Sequence, residues 1–214
     1  MDASGSVRVA ETFVSLQGES TCAGLPCFFV RLAGCNLKCG YCDTPAASAP
    51  GVETSVADLV AAFTASGVRL AEITGGEPLL QPGFPALAAS LRDAPAATVL
   101  VETNGSLNIA AIPSGVSAIL DLKCPASGSL EAMDFGNLDR LRPYDEVKFV
   151  MSCRSDFDWA CRVTRDHRLD RKCRAVLFSP VAGVLDAAEL GRWLLESRAP
   201  ARLQVQLHKW LGLR

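Results

Sequence analysis

Short apolar runs alternate with amphipathic segments along this chain. Eight runs rich in β-branched and other apolar residues predict strands over residues 7–16, 27–32, 70–74, 98–102, 118–122, 146–151, 175–178 and 203–207. Many of them are apolar almost throughout, which is typical of parallel strands that are buried on both faces. Apolar residues at helical spacing predict helices over 56–65, 85–92, 156–165 and 186–197.

This alternation of strands and helices predicts an α/β fold with a parallel sheet and right-handed crossovers. About six strand–helix units are too few for a complete eight-unit barrel of about 250 residues. We therefore predict a partial, open parallel βα barrel with shortened helices, formed by residues 1–214 as a single domain. Ligands of such sheets bind at the carboxyl ends of the strands. Polar motifs that follow the strands are thus the candidates for chemistry.

Composition excludes several classes of protein. The chain is 49% apolar and 21% charged, which is globular, and its net charge of −2 argues against broad electrostatic binding to nucleic acid or to an anionic membrane. No apolar run reaches the roughly 18–20 residues of a membrane span, and the N-terminus lacks a secretory signal pattern. We therefore expect a cytoplasmic protein with no nucleic-acid partner and no membrane segment. In that reducing compartment, clustered cysteines indicate metal or catalytic groups.

Three of the nine cysteines form a tight motif directly after a predicted strand. Cys35, Cys39 and Cys42 have the spacing C-x3-C-x2-C. Three thiolates on one loop can hold three corners of a [4Fe–4S] cluster and leave one iron open for another ligand. A structural zinc site needs four protein ligands, and no second cysteine pair at matching spacing supplies the fourth. A non-catalytic iron–sulfur or zinc binding module with a distant fourth ligand stays an alternative at this point.

This cysteine loop resembles the signature of the radical S-adenosylmethionine (SAM) enzymes, in which an aromatic residue, here Tyr41, precedes the third cysteine. After the next predicted strand, Gly75-Gly76-Glu77-Pro78 resembles the GGEP motif that holds the amino group of SAM in that family. The resemblance implies a radical SAM type of barrel. It also implies an open iron that binds SAM, so that one electron releases a 5′-deoxyadenosyl radical.

Further segments are similar to the 7-carboxy-7-deazaguanine synthase family, and together they cover nearly the whole chain. They are residues 13–20, 24–37, 42–44, 102–105, 121–123, 178–180 and 206–212. The resemblance implies a lyase of queuosine and deazapurine biosynthesis that converts 6-carboxy-5,6,7,8-tetrahydropterin to 7-carboxy-7-deazaguanine with loss of ammonia. It also implies catalytic use of SAM, a requirement for Mg2+ and a homodimer. We further expect an electron donor such as flavodoxin.

The resemblance and the side-chain chemistry together give candidate ligand contacts. Gln17 and Glu19 suit the hydrogen-bonding edge of a pterin, and Arg31 suits a substrate carboxylate. The candidate substrate contacts are Leu16, Gln17, Gly18, Glu19, Arg31, Thr74, His208 and Arg214. The SAM contacts that the resemblance implies are Tyr41, Cys42, Asp43, Gly76, Glu77, Asp121, Leu122, Lys123, Ser179 and Pro180. Thr44 is the implied Mg2+ ligand.

Some assignments stay open in the sequence. Glu102 and Asn104 end a strand, where they fit a ribose contact as well as a turn. The carboxylate of Arg214 is expected to close over the pocket. The remaining cysteines read as packing residues rather than an auxiliary cluster, because their spacings are wide; they are Cys22, Cys27, Cys124, Cys153, Cys161 and Cys173. A competing enzyme is a small radical SAM activating enzyme that makes a glycyl radical on a partner, which would lack the signature at residues 16–20.

Overall fold

A computed structural model describes residues 5–44, 50–95 and 97–213 of the chain. Within these residues nine strands form a single sheet in the order β3-β1-β2-β4-β5-β6-β7-β8-β9. The strands are β1 (Ser6–Leu16), β2 (Pro26–Leu32), β3 (Val52–Ser55), β4 (Leu70–Gly75), β5 (Thr98–Thr103), β6 (Ser117–Asp121), β7 (Glu146–Met151), β8 (Ala175–Pro180) and β9 (Arg202–Leu203). From β2 onward this order follows the chain, as it does in a barrel, and the sheet remains open at β3 and β9. The predicted α/β class with an open sheet is thus confirmed.

Two features of the sheet differ from the sequence prediction. Neighbouring strands from β2 to β9 are parallel, as predicted, but β1 pairs antiparallel with both β2 and β3. The short strand β3 was not predicted, because Val52–Ser55 carries only one apolar residue and is half exposed. β1 and β3 lie at one open edge of the sheet, where strands of mixed polarity are tolerated.

Helices connect the parallel strands. They are α1 (Val56–Ser66), α2 (Phe84–Arg92), α3 (Asn137–Arg140), α4 (Arg154–Asp166), α5 (Leu169–Lys172), α6 (Ala187–Ser197) and α7 (Leu207–Leu211). The four predicted helices correspond to α1, α2, α4 and α6. The Ser55 hydroxyl accepts a hydrogen bond from the Asp58 N–H at 3.0 Å and caps α1, while Gly67 with φ of 71° ends it. None of the helices in the described ranges is long and apolar enough to span a membrane.

The predicted strand over residues 203–207 was wrong in most of its length. Strand β9 ends at Leu203, and Leu207 already begins the helix α7. The Leu207 N–H donates to the Gly18 carbonyl at 2.9 Å, so the chain leaves the sheet here and packs on the loop after β1. A tertiary contact therefore overrides the strand propensity of this apolar segment.

The two faces of the parallel sheet have different partners. On the outer face, strand residues such as Ile73 and Val101 pack with helix residues such as Phe63 and Leu87 in the main core. On the inner face, a small apolar cluster fills the beginning of the strands; it contains Cys27, Phe29, Leu70, Leu100 and Ile119. Because side chains alternate along a strand, the residues two positions beyond Phe29, Leu70, Leu100 and Ile119 lie on this inner face, nearer the carboxyl ends. They are polar, and they form the site described next.

Candidate active site

A cavity of about 440 Å3 lies at the carboxyl ends of the parallel strands. This volume falls in the range of small-molecule sites, about 300–1,000 Å3. Most of the site residues predicted from the sequence line this one cavity: Leu16, Gln17, Gly18, Glu19, Arg31, Cys35, Cys39, Tyr41, Cys42, Asp43, Thr44, Thr74, Gly76, Asp121, Lys123 and His208. Glu102 and Asn104, whose roles the sequence left open, line it as well.

The other predicted site residues lie elsewhere. In the part of the chain that the structure describes, the cavity wall does not include Glu77, Leu122, Ser179 or Pro180, and all four are buried. Residues 181 and 182, directly after β8, line the cavity in place of Ser179 and Pro180. Arg214 lies outside the described residues.

The loop that carries the cysteines is held against the turn after β4. The Glu77 N–H donates to the Gly34 carbonyl at 2.8 Å. A Cβ atom built on Gly76 would lie 2.2 Å from the Gly34 carbonyl oxygen and 2.7 Å from the Cβ of Cys35. Packing alone therefore requires glycine at position 76, independently of any ligand, because a side chain there would push the cysteine loop away.

The chemistry of the three thiols suits a [4Fe–4S] cluster, because cysteine thiolates are the usual ligands of such clusters. All nine cysteines of the chain carry free thiols, and those of Cys35, Cys39 and Cys42 line the cavity. The Leu37 N–H lies 3.4 Å from the Cys35 sulfur and the Asn104 side-chain amide lies 3.8 Å from it, so donors already face a sulfur. Hydrogen bonds of this kind tune iron–sulfur clusters.

The thiols are not arranged around one point. Among the described residues, no three His, Cys, Asp or Glu side chains lie close enough together to hold a single metal ion. A [4Fe–4S] cluster does not need such convergence, because each thiolate binds a different iron. The remaining cysteines lie away from the cavity wall; Cys27, Cys124 and Cys173 are buried, and Cys22, Cys153 and Cys161 are half-buried.

Glu77 ties two of the site's loops together. Its carboxylate accepts hydrogen bonds from the Leu79 N–H at 3.0 Å, the Thr103 hydroxyl at 2.8 Å and the Asn104 N–H at 2.7 Å. Burial raises the pKa of Glu77, and these hydrogen bonds oppose that rise. The side chain thus fixes the end of β5 against the turn after β4, and it reaches the cavity through the residues that it positions.

Lys148, on the inner face of β7, is the main residue that sequence reasoning missed. Its ammonium donates to a Glu19 carboxylate oxygen at 2.7 Å and to the Glu102 carboxylate, and it lies 3.5 Å from Asp121. Burial lowers its pKa, but the Glu102, Glu19 and Asp121 carboxylates outweigh burial and raise the pKa well above its ordinary value. The signal was present in the sequence, because Glu146 and Lys148 stand two residues apart in an otherwise apolar run.

The side chains of Gln17 and Glu19 are both held by the protein. Gln17 donates its amide N–H to Glu72, and its amide oxygen accepts from the Glu19 N–H at 2.8 Å. Glu19 accepts from Gln206 at 2.8 Å and from Gln204 at 3.1 Å. Burial raises the pKa of Glu19, but the Lys148 charge and these donors lower it overall. Glu19 is therefore a fixed, ionised acceptor in the cavity wall.

Helix α7 covers one side of the cavity. A Cβ on Gly18 would lie 1.9 Å from the Nδ1 atom of His208, so the histidine ring rests directly on this glycine. The Asp43 carboxylate accepts from the Lys209 ammonium at 2.5 Å and from the Gln206 amide at 3.3 Å. Burial raises the pKa of Asp43, but these two donors outweigh it and set the pKa to about 2. The end of the cysteine loop is thus joined to the C-terminal helix.

Glu72 gives a prediction about stability. Burial and the neighbouring Glu102 and Glu19 carboxylates raise its pKa well above the ordinary value. The folded protein therefore binds the Glu72 proton more tightly than the unfolded chain does. This tighter binding stabilises the folded state at low pH, and the stabilisation is lost as the pH rises through the pKa that Glu72 has in the folded protein. We expect Glu72→Gln, which is neutral at every pH, to be more stable than the unmodified protein at high pH. The difference in the free energy of unfolding should shrink as the pH falls, and urea unfolding over a pH series measures it; a constant difference would contradict the assignment.

The fold and the cysteine loop define a class of protein. The family model described as the Radical SAM superfamily matches residues 30–150, which carry the three cysteines and the GGEP turn. Membership of this class implies a [4Fe–4S] cluster and SAM as cofactors.

Curated relatives narrow the class. The 7-carboxy-7-deazaguanine synthase of Koribacter versatilis is 41% identical, over 96% of this chain and 96% of the relative. Those of Methanospirillum hungatei and Chlorobaculum tepidum are each 39% identical, over 98% and 99% of this chain and 87% and 96% of the relatives. The chain belongs to the 7-carboxy-7-deazaguanine synthase family, as the sequence motifs predicted.

A solved structure supports the fold. The crystal structure of QueE from Escherichia coli covers 95% of this chain and is itself covered to 95%, with a TM-score of 0.73. The sequences of the two chains are 22% identical, so the likeness shows a shared fold. It confirms the radical SAM type of open sheet that was predicted.

Proposed function

We propose that this chain is a radical SAM lyase that converts 6-carboxy-5,6,7,8-tetrahydropterin to 7-carboxy-7-deazaguanine with loss of ammonia. One observation carries the proposal: the cavity that holds the three cysteine thiols is also lined by Arg31, Glu19 and Glu102. A cation suits the carboxylate of such a substrate, and fixed carboxylates suit the N–H groups of its pterin ring. The proposal treats residues 1–214 as a single radical SAM domain.

The residues of the cavity divide between cofactors and substrate. Cys35, Cys39 and Cys42 would hold the cluster. With SAM bound beside that cluster, the pair would supply the radical chemistry of the reaction. The SAM contacts in this proposal are Tyr41, Asp43, Gly76, Asp121 and Lys123, all of which line the cavity. Leu122, Ser179, Pro180 and Glu77 would support these contacts from behind the wall, through the loops that they hold.

The substrate side is built on β1, β2 and α7. Arg31 lies beneath the cavity with its Nε atom donating to Glu11 at 2.9 Å, and its guanidinium lies 5.9 Å from the centre of the Phe13 ring. These contacts orient the guanidinium, whose other N–H groups suit a carboxylate. Because the side chain of Gln17 is held by Glu72 and Glu19, the Leu16–Gly18 contacts to a pterin would come from the backbone. Thr74 and His208 complete this side of the wall.

Mg2+ belongs to the same proposal. Thr44 lies at the cavity, and its hydroxyl donates to Asp43 at 3.2 Å. One hydroxyl is a weak Mg2+ site, so substrate and water oxygens would complete the ligand set. We expect Thr44→Val to require a higher Mg2+ concentration for half-maximal activity, while Thr44→Ser, which keeps the hydroxyl, responds as the unmodified protein does. Activity titrations with Mg2+ after chelation measure this, and identical curves for Thr44→Val would remove Thr44 from the site.

The proposal extends to partners and location. It includes a homodimer, a flavodoxin or similar electron donor, and a cytoplasmic location without nucleic acid or membrane partners. The support for these partners and this location is membership of the 7-carboxy-7-deazaguanine synthase family.

An anaerobic assay tests the function directly. Protein with a reconstituted cluster is incubated with SAM, a reductant, Mg2+ and the carboxy-tetrahydropterin, and the deazaguanine product is measured by mass spectrometry. Product formation is expected only when SAM and reductant are both present. An intact cluster that cleaves SAM without yielding product would favour the activating-enzyme alternative, and a cluster with no SAM affinity would favour a binding module.

A further inference from the structure

A buried lysine joins three strands at the base of the active site. Lys148 is 3% exposed, and its ammonium contacts Glu19 from the loop after β1, Glu102 from β5 and Asp121 from β6. These three carboxylates all line the cavity. No motif of the radical SAM or synthase resemblance includes this lysine, so its place in the site comes from the structure alone.

Burying an ammonium destabilises the folded state unless opposite charges compensate for the lost hydration. Here the compensation is more than complete, because three carboxylates surround one ammonium while Lys123 pairs with Asp121 at 2.9 Å. Glu19 in turn depends on Lys148, since burial alone would favour the neutral form of its carboxyl group. Removing the ammonium would therefore change the orientation of the carboxylates around it and the protonation of Glu19.

We propose that Lys148 is a positioning residue, whose ammonium holds the Glu19 and Glu102 carboxylates in place as acceptors for the N–H groups of the substrate. The inference rests on the proposed function and assigns a role that this function does not by itself require. Glu19 fits that role because its other partners, Gln204 and Gln206, are neutral amides. Lys148 is thus the one cation among the described residues that bonds directly to both carboxylates.

The inference predicts a particular pH dependence. The charged or titratable groups that interact with Lys148 from the packed elements are Glu19, Asp43, Glu72, Glu102, Asp121 and Lys123. The Lys148 charge lowers the pKa of Glu19 against the effect of burial. Without that charge, Glu19 takes up a proton at a higher pH and ceases to accept from the substrate. The acidic limb of the kcat/KM profile should therefore move to higher pH when the charge is removed.

The test compares Lys148→Met with Lys148→Arg and with a matched control, Lys172→Met. Lys172 also forms an ion pair, with Asp139 at 2.7 Å, but it lies outside the cavity wall. We expect Lys148→Met to lower kcat/KM for the pterin about 100-fold, mainly through KM, and to shift the acidic limb upward. Iron content should stay unchanged, and SAM affinity should change less than KM for the pterin, because Asp121 keeps its ion pair with Lys123 at 2.9 Å. Lys148→Arg should recover the position of the acidic limb, and Lys172→Met should behave as the unmodified protein does.

Several results would overturn the inference. An unchanged KM and pH profile in a folded Lys148→Met protein would show that the lysine does not position the acceptors. If that variant does not fold, Lys148→Gln, which keeps hydrogen bonding but loses the charge, replaces it with the same expected shift. Failure of the proposed function is a separate result, because then the unmodified protein itself makes no deazaguanine.

Discussion

Serine in place of Cys35, Cys39 or Cys42 is expected to abolish product formation. Each thiolate would hold its own iron, so one substitution leaves a cluster with two cysteine ligands, which does not persist. Bound iron should fall from about four per chain to well below one after anaerobic reconstitution. SAM cleavage should disappear together with iron, because SAM binds at the open iron of the intact cluster.

Other cysteines of the same chain provide the control. Cys153→Ser and Cys161→Ser change half-buried thiols on α4 and at its start, away from the cavity wall. Both variants should keep their iron and their activity. Loss of iron in either control, or about eight irons per unmodified chain, would indicate an auxiliary cluster and contradict the assignment. A Cys39→Ser protein that retains four irons would show that this thiol is not a ligand.

How far the sequence predicts the site depends on how local each contact is. The cysteine loop, the GGEP turn and the residues 16–19 are continuous motifs, and the structure brings them to one cavity. The role of Lys148 was not predicted because its partners lie 27 to 129 residues away along the chain, in positions that only the folded sheet brings together. Its strand also looks like a buried apolar run, since the outer face supplies most of its hydrophobic residues.

At Glu77 the sequence motif is recognised, but the hydrogen bonds that the side chain makes within the protein are not predicted. The resemblance implies a SAM contact at this position, whereas the carboxylate is buried against Leu79, Thr103 and Asn104. A buried carboxylate needs several donors, and loop ends supply them most readily. Motif matching cannot separate a group that touches a ligand from one that holds the loop touching it, because both kinds of residue belong to the same motif.

The fold has similar limits at its edges. The parallel strands and the four longer helices follow from apolar periodicity, which a buried sheet imposes on the sequence. The antiparallel pairing of β1 and the turn into α7 depend on tertiary hydrogen bonds, such as Leu207 N–H to the Gly18 carbonyl. Nothing in the local pattern of residues 203–207 encodes that contact.

Gly76→Ala is expected to disrupt both stability and cluster assembly. The new Cβ would lie 2.2 Å from the Gly34 carbonyl oxygen and 2.7 Å from the Cβ of Cys35, and backbone atoms cannot move aside as the end of a side chain can. The cysteine loop and the turn after β4 would have to separate, which also strains the 2.8 Å hydrogen bond from Glu77 to Gly34. We expect the free energy of unfolding to fall by about 3 kcal/mol. Iron incorporation should fall with it, because the loop that presents the thiols is displaced.

Gly40 provides the matched comparison, because it lies in the same loop between Cys39 and Tyr41. A Cβ built there meets no atom of the described residues within 4 Å. Gly40→Ala should therefore keep its stability and its iron, which separates the contact at Gly76 from a general need for flexible glycines near the cysteines. Denaturant unfolding of the apo-proteins and iron analysis after reconstitution measure the two effects independently. If both alanine variants lost iron equally while remaining folded, flexibility of the loop rather than its close packing on β4 would govern cluster assembly.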